Sequence, residues 1–476
     1  MVRIVPGDED IVDVIVIGGG PPGENAADYA GRGGLTTVIV EAELLGGECS
    51  FWACMPSKAM LRPIEVLDAA RALPGVPVGD RVDVEAVLAR RDAITHHRDD
   101  ESQVAWAEGA GIRVVRGHGR LDGERRVTVQ AADGSTSTLV ARHAVVLATG
   151  SSAAIPPIEG LAAARPWTSR DATSMTRVPD RIAVLGGGVV ACEATTWLAG
   201  FGAAVTMIVR DDAVLTRNEP FAGEMVLDNL RSCGVQVRLG AHLRQATRDP
   251  GGAVTLIVDG APIVVDEILV ATGRTPNSTD VGLETVGLEP HGYLATDDSM
   301  QVRGVEGDWL YAVGDLTGRA LLTHMGKYQA RVCGDVIATR ARGEPTEGLR
   351  FSASADHDQV PQVTFTAPQV ASVGHTESSA LAAGRSVRCV EYDLANLAGT
   401  ALVRDGYRGR AKLVVSTNDG TLIGATFVGP EVAELVHAAT IAVVGKVPLE
   451  VLWHAVPSYP TVSEIWLRLL ETWRLS

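Results

Sequence analysis

Near its start the chain carries a mostly apolar run, VDVIVI (Val12 to Ile17), that leads into Gly18-x-Gly20-x-x-Gly23 and then into helical composition from Glu24 onward. A short apolar run closed by glycine reads as a buried parallel strand. A second run, TTVIVE, ends on Glu41, 18 residues beyond Gly23. The strand–glycine–helix pattern returns at RIAVLGGGVVACEATTWLA, with Gly186-x-Gly188-x-x-Ala191. Three further runs end in glycine turns: ARHAVVLATGS with Ala148-Thr149-Gly150, DEILVATGRTPN with Gly273, and WLYAVGDLTG with Gly314. After residue 350 the pattern changes. QVTFTAPQVASVG and RAKLVVSTNDGTLIGATFVG, followed by a helix from Ser463 to Arg474, predict an antiparallel sheet with helices. There is no low-complexity segment and no short-period repeat.

The glycine spacing carries chemistry. Glycines let the backbone turn tightly and approach a pyrophosphate, and the following helix N-terminus supplies N–H groups and a positive dipole end. Such a motif alone is weak, because a strand–helix turn with no ligand shares it. Glu41 at the end of the second strand strengthens it, since an acid there suits an adenosine ribose 2′-OH. With the second motif, the chain is expected to hold two dinucleotide sites in an α/β fold with parallel sheets.

Length and charge narrow the rest. With 476 residues and 46% hydrophobic composition, about three domains are expected. A formal charge of −16 argues against nucleic acid and anionic membranes as partners. No apolar run reaches the length of a membrane span, about 18 residues. The acidic N-terminus (MVRIVPGDEDIVDV) does not resemble a signal peptide. The expected setting is soluble and cytoplasmic, where stable structural disulfides are rare.

Cys49 and Cys54 stand apart in LLGGECSFWACMPSKAML, spaced C-x4-C. A zinc site needs two further ligands at comparable spacing, and no other Cys/His pair offers them; no metal is assigned. A structural disulfide is also awkward: residues five apart in an ideal helix have Cα atoms roughly 8–9 Å apart, past the roughly 7 Å limit for a bridge. A bond here would bend the helix start and be easily reduced, which favours a working disulfide over a staple. Cys192, Cys233, Cys333 and Cys389 are scattered and read as buried small apolar residues.

GGECSFWACMPSK resembles the redox-disulfide signature of the pyridine nucleotide–disulfide oxidoreductases, a family that includes lipoamide, glutathione, mycothione and mercuric reductases. The resemblance covers essentially the whole chain, in the family's order: FAD glycines, cysteine pair, ATG, NAD(P) motif, second ATG, YAVGD, FTAPQVASVG and YPTVSE. It implies two Rossmann-like dinucleotide-binding domains, for FAD and NAD(P), plus a C-terminal α+β dimerisation domain. The expected boundaries are 1–155 for the first part of the FAD domain, 156–279 for the NAD(P) domain, 280–350 for the second FAD part, and 351–476 for the interface domain of a homodimer. It further implies that NAD(P)H reduces FAD and FAD reduces the disulfide, with Cys54 the thiol next to the flavin and Cys49 the exchange thiol that meets the acceptor. Lys58 matches the lysine near flavin N5, and Glu193 matches its carboxylate partner. Asp315, with Leu322, Thr323 and His324, would lie against FAD, and Gly47 and Gly119 join the cofactor-binding set.

Three departures bear on substrate. Family reductases acting on organic disulfides carry His-Pro-Thr near the C-terminus, with Glu five residues after the His. Here Pro460-Thr461 and Glu464 fit, but Tyr459 stands at the His position. A phenol with a pKa of about 10 is a poor base near neutrality, whereas imidazole lies near 6.5. Tyr459 is either a hydrogen-bond donor to a thiolate or oxygen, or a packing residue. Mercuric reductases share the tyrosine but add a C-terminal cysteine pair, absent from ETWRLS. His454 lies off the motif and reads as a surface or interface residue. Between the cysteines, Phe51-Trp52-Ala53 replaces the usual Asn-Val-Gly, either as a stacking wall for a flat substrate or as core packing. Finally, counting 18 residues from Ala191 reaches Val209, not an acid, and Arg210 follows. An arginine there suits a 2′-phosphate, so NADPH is favoured over NADH, although Asp211 and Asp212 weaken the inference. The expected activity passes electrons from NAD(P)H through FAD and Cys49–Cys54 to a disulfide or related small-molecule acceptor. The alternatives are a quinone or diaphorase-type flavin reductase that bypasses the disulfide, and a lipoamide dehydrogenase. The apolar spacing Ile465, Leu469, Trp473 on the last helix suits either a dimer interface or packing within one subunit.

Overall fold

The computed structural model describes residues 9–475. Met1–Asp8, part of the segment read against a signal peptide, lies outside the described residues. The chain divides into two compact units.

Of the described residues, the first unit comprises 9–56, 92–152 and 274–356. At its centre, the strands Ile112–Arg116, Thr37–Glu41, Glu9–Ile17 and Thr136–Leu147 lie side by side in that order, all parallel. Leu310–Ala312 adds in parallel to Thr136–Leu147, which also carries the antiparallel pair Arg126–Gln130 and His118–Leu121. Val14, Val16 and Ile39 face one layer and Ile15, Ile17 and Val38 the other, all fully or nearly fully buried. That explains the unbroken apolar runs, because a parallel sheet is covered on both faces. The first helix spans Pro21–Arg32 and so starts before Glu24, the expected beginning. Proline suits a helical first turn, where its φ is preset and its missing N–H has no partner to lose. This helix packs closely on Thr323–Ala341. A Cβ at Gly326 would lie 2.7 Å from the Pro22 ring, and one at Gly334 would lie 2.6 Å from Tyr29 Cβ.

The second unit comprises residues 57–91, 153–273 and 357–476. A four-stranded parallel sheet runs Gln236–Arg238, Ala204–Ile208, Arg181–Leu185, Glu267–Val270. Helices Val189–Gly200 and Pro220–Ser232 contribute Ala191, Trp197, Phe221 and Val226 to its core. The C-terminal part is a five-stranded antiparallel sheet, as the sequence predicted, in the order Pro361–Thr364, Gln369–Gly374, Leu422–Gly429, Arg410–Ser416, Val387–Asp393. The last α-helix spans Ile465–Leu475, after a short 3-10 turn at Val462–Glu464. Its Ile465 and Leu469 are completely buried against the sheet's own core, so this apolar face packs within its own subunit and lends no support to a dimer.

Among the described residues, no helix is long and apolar enough to cross a membrane.

Candidate functional site

In the first unit the glycine loop sits at the carboxyl end of Glu9–Ile17. Gly18 has φ +102°, and a Cβ there would lie 2.4 Å from the Ala148 carbonyl oxygen; a Cβ at Gly23 would lie 1.9 Å from the Gly18 oxygen. Both positions therefore require glycine, and the loop is pressed onto the Ala148-Thr149-Gly150 turn. Gly20 differs: nothing lies nearer than 3.9 Å to its notional Cβ, so the direction a side chain would take there is open. Glu41 stands at the end of the second strand as expected. Its carboxylate accepts from the Gly19 N–H at 2.6 Å and the Glu43 N–H at 2.7 Å, and burial raises it above the usual carboxylate range. One turn into the helix, burial pushes Glu24 up to about 7, against the pull of the Lys327 charge. Gly119 is buried, and its missing side chain makes room for Val40 and Ile17.

The glycine turns of this unit are tied together. Thr149 Oγ1 donates to the Asn277 carbonyl at 2.7 Å, and Asn277 Nδ2 returns a bond to the Thr149 carbonyl at 2.9 Å. Asp315 accepts from Ser151 Oγ at 2.5 Å, and Arg274 Nε donates to the same hydroxyl at 2.6 Å. Gly314, with φ +74°, donates its N–H to Gln329 Oε1 at 2.7 Å. At Gly150 (φ +70°) nothing lies within 4 Å of a notional Cβ.

The cysteines occupy two short-spaced helices, not one. Gly47–Phe51 ends at Trp52, and a new helix, Cys54–Arg71, opens on Cys54. The break removes the helical separation that made a bridge awkward: both are thiols here, and Cys54 lies against Cys49. That neighbouring thiol, reinforced by burial, pushes the Cys49 thiol far above its ordinary value, while Thr323 and the Lys327 charge draw it back. Cys54 Sγ is 3.3 Å from Thr323 Oγ1, at the start of Thr323–Ala341. Leu322 immediately precedes that helix, and His324, exposed, is its second residue. Gly47 (φ +56°) would place a Cβ 2.8 Å from Gly20 Cα, so the cysteine segment is packed directly on the glycine loop. Phe51 is 2% exposed and belongs to the core, edge-on to the partly exposed Trp52 at 5.8 Å. Of the other cysteines, Cys192 and Cys333 are buried as expected and Cys389 is half-buried. Cys233 is exposed, contrary to expectation, because it follows the last turn of Pro220–Ser232 outside the core.

In the second unit Gly186 would place a Cβ 2.4 Å from the Ala271 oxygen, as Gly18 does with Ala148. Ala191 is buried, Gly188 faces open space, and so does Gly273 (φ +148°) at the unit's edge. Gly187 packs on Val209, with a notional Cβ 2.6 Å from Val209 Cγ1. Gly19 meets the Glu41 carboxylate in the same manner in the first unit, so an apolar group here occupies the ribose acid's place. Arg210 follows, 80% exposed and 3.5 Å from Asp211. Lys58 Nζ lies 2.7 Å from Glu193 Oε2, joining the two as expected. Tyr459 is 74% exposed and His454 is exposed. Glu464, at the end of the 3-10 turn, is buried; its Oε1 accepts from Arg468 Nη2 at 2.7 Å, and its Oε2, also buried, has no hydrogen-bond partner among the described residues.

A family model for the pyridine nucleotide-disulphide oxidoreductases matches residues 12–330, and the model of that family's dimerisation domain matches residues 360–469. The chain belongs to this family. Known members of the family match it over nearly its whole length. A mercuric reductase of Shigella flexneri is 33% identical over 96% of this chain and 80% of that protein. A dihydrolipoyl dehydrogenase of Chlorobaculum tepidum is 32% identical over 95% of each. The solved structure of LpdA from Mycobacterium tuberculosis superposes with a TM-score of 0.83 at 26% identity, covering 98% of this chain and 100% of that one.

As a member of this family, the protein is an FAD-dependent oxidoreductase that uses NAD(P)H. The residues present fit an FAD. Gly20 and Gly150 leave space that a side chain would fill, and the Glu41 carboxylate stands at the strand end against the Gly19 N–H of the glycine loop. Sequence reasoning missed Ser151, Arg274 and Lys327, whose partners are distant in sequence. It also missed Phe365, whose signal was present in the quoted FTAPQVASVG.

Proposed function

We propose that this enzyme passes two electrons from NADPH, by way of FAD, to the Cys54–Cys49 pair and on to a small disulfide or related acceptor, as a cytoplasmic homodimer. The domain boundaries given above are part of the proposal. The observation that carries it is the placement of Cys54: it opens an 18-residue helix, touches Cys49, and lies 3.3 Å from Thr323. A helix N-terminus favours the thiolate, which is the reactive form. FAD, when bound, supplies the two-electron relay between nicotinamide and sulfur. Cys49 then attacks one sulfur of the acceptor disulfide, forming a mixed disulfide and releasing one thiolate. Cys54 attacks Cys49, releases the second thiolate, and closes the Cys49–Cys54 bond. Both released thiolates take up protons, and the acceptor gains two electrons and two protons. Lys58, one turn beyond Cys54 and paired with Glu193, supplies positive charge on this helix face. NADPH is favoured because Val209, not a carboxylate, meets Gly187, and Arg210 is open for a 2′-phosphate.

A second reading is a quinone or diaphorase-type reductase that bypasses the thiols. Tyr459 favours it: a phenol stands where the family's proton carrier would be, and it is a poor base near neutrality. The same replacement of His by Tyr459 counts against lipoamide as the acceptor.

Anaerobic titration of the flavin spectrum with NADPH, and separately with NADH, tests the proposal. A long-wavelength thiolate–flavin band after two electrons, formed more readily with NADPH, is expected. Direct bleaching of the flavin without that band, with Cys49→Ser leaving quinone turnover intact, would establish the second reading instead.

A further inference from the structure

Glu193 is a buried carboxylate, 4% exposed, on helix Val189–Gly200. Burial of a charge is tolerated only when both oxygens find partners. One oxygen takes Lys58 at 2.7 Å; the other accepts the backbone N–H of Phe365 at 2.9 Å. The Phe365 ring makes a further contact, for Lys58 Nζ lies 4.9 Å from its centroid. Lys58, Glu193 and Phe365 come from three separate parts of the second unit and close a triangle: ammonium to carboxylate, carboxylate to backbone amide, ring to ammonium. Phe365 directly follows the strand Pro361–Thr364 and packs on the same core as Ala191, Cys192 and Ala194. It is thereby fixed independently of Lys58.

Lysine is a flexible four-carbon stem with a compact charge, and without a second restraint it sweeps several rotamers. Glu193 alone fixes only the distance from one oxygen. A ring on a second side restricts the direction as well, and a ring face within about 6 Å attracts the ammonium. We propose that Phe365 is a positioning residue for Lys58, holding the ammonium through its ring face while its backbone N–H holds Glu193. This rests on the reading above that places Lys58 beside the flavin and the Cys54 thiolate.

The two roles of Phe365 separate by mutation, since a side-chain change leaves its N–H in place. Phe365→Leu keeps an apolar group of similar reach and the Glu193 bond but removes the ring; Phe365→Tyr keeps the ring. The full-length FAD enzyme is reduced anaerobically with NADPH at one pH, and two quantities are read: the rate of flavin reduction and the intensity of the long-wavelength thiolate–flavin band. Phe365→Leu is expected to slow reduction by about threefold to tenfold, the size of a partly exposed cation–π contact, and to weaken the band. Phe365→Tyr is expected to restore both. In a Lys58→Met background, Phe365→Leu is expected to add nothing. If Lys58→Met alters rate and band but Phe365→Leu does not, or if the two effects multiply independently, the positioning role is overturned while the reading of Lys58 stands. If Lys58→Met alters neither, that reading fails, and the role of Phe365 with it. Should Phe365→Leu fold poorly, Phe365→Met, an unbranched apolar side chain that packs adaptably, removes the ring in its place, and an unchanged rate and band in that variant would overturn the positioning role.

Discussion

Lys412 offers a sharp test of how the second unit is held together. It lies on Arg410–Ser416 and its side chain is only 6% exposed. Its ammonium reaches Glu219 at 3.0 Å, Glu377 at 2.5 Å and Glu391 at 3.5 Å. Burial works against its charge, yet the hydrogen bonds to Glu377 and Glu219 outweigh that and hold it well above the usual lysine range. Glu219 immediately precedes Pro220–Ser232 and is 2% exposed, and its other oxygen accepts the Glu377 N–H at 2.7 Å. Lys412→Met keeps the volume but strips Glu219 of its counter-charge. Leaving a buried charge unpaired costs about 3–5 kcal/mol, which for a unit of this size corresponds to a melting temperature lower by roughly 5–9 °C. Glu219→Gln should be mild, about 1 kcal/mol, because Lys412 keeps Glu377 and Glu391 and the amide oxygen still accepts the Glu377 N–H. The double variant Lys412→Met/Glu219→Gln buries no lone charge and should melt close to Glu219→Gln alone. Differential scanning calorimetry on all four proteins, at one scan rate and one pH, measures the ordering. Lys412→Met melting within about 2 °C of the parent, or a double variant no more stable than Lys412→Met, would refute the reasoning.

Glu24 predicts a pH dependence of stability. Burial raises its carboxyl from 4.5 to about 7, so the native state binds the proton more tightly than the unfolded one between those values. Stability therefore falls as pH rises through that window, by at most about 3 kcal/mol, and Glu24→Gln should flatten that part of a melting-temperature profile from pH 4.5 to 8; an unchanged profile would count against it. Gly334→Ala places a Cβ 2.6 Å from Tyr29 Cβ and 2.9 Å from the Ala30 nitrogen. Overpacking against backbone should cost about 1–3 kcal/mol, seen as a lower urea midpoint for the first unit, whereas Gly343→Ala, with nothing within 4 Å, tests only the positive φ of a surface turn.

The parts of this fold that read from sequence are those whose signals are local. Gly18, Gly20 and Gly23 stand next to the strand they terminate, and Glu41 is reached by counting, because a Rossmann unit fixes the distance from loop to strand end. The antiparallel C-terminal sheet was legible for the same reason. What escaped depends on chain segments meeting across long separations. Cys49 and Cys54 read as one helix because nothing in SFWA marks a stop, yet the chain breaks at Trp52 and the two thiols meet. The last helix shows one apolar stripe whichever partner covers it, and only the burial of Ile465 and Leu469 settles which. Glu464 matched a motif by position, and the bond that its Oε1 accepts from Arg468, four residues on, is a contact that motif spacing does not contain. Nothing beside Lys412 in AKLVV marks it as buried, because the carboxylate that keeps it inside is 193 residues away.

The pairing of Lys58 with Glu193 has a chemical corollary in the choice of cation. Only four of the chain's 42 basic residues are lysines: Lys58, Lys327, Lys412 and Lys446. Three are tied into the carboxylates and thiols described above, and Lys446 is exposed. Acylating reagents modify amines and leave guanidinium groups untouched, so most of the positive charge on this protein is invisible to them. Where they do react, apart from Lys446, each acyl group cancels a charge that a particular acid or sulfur depends on. The protein is thus inert to amine chemistry over most of its surface and vulnerable to it at very few atoms.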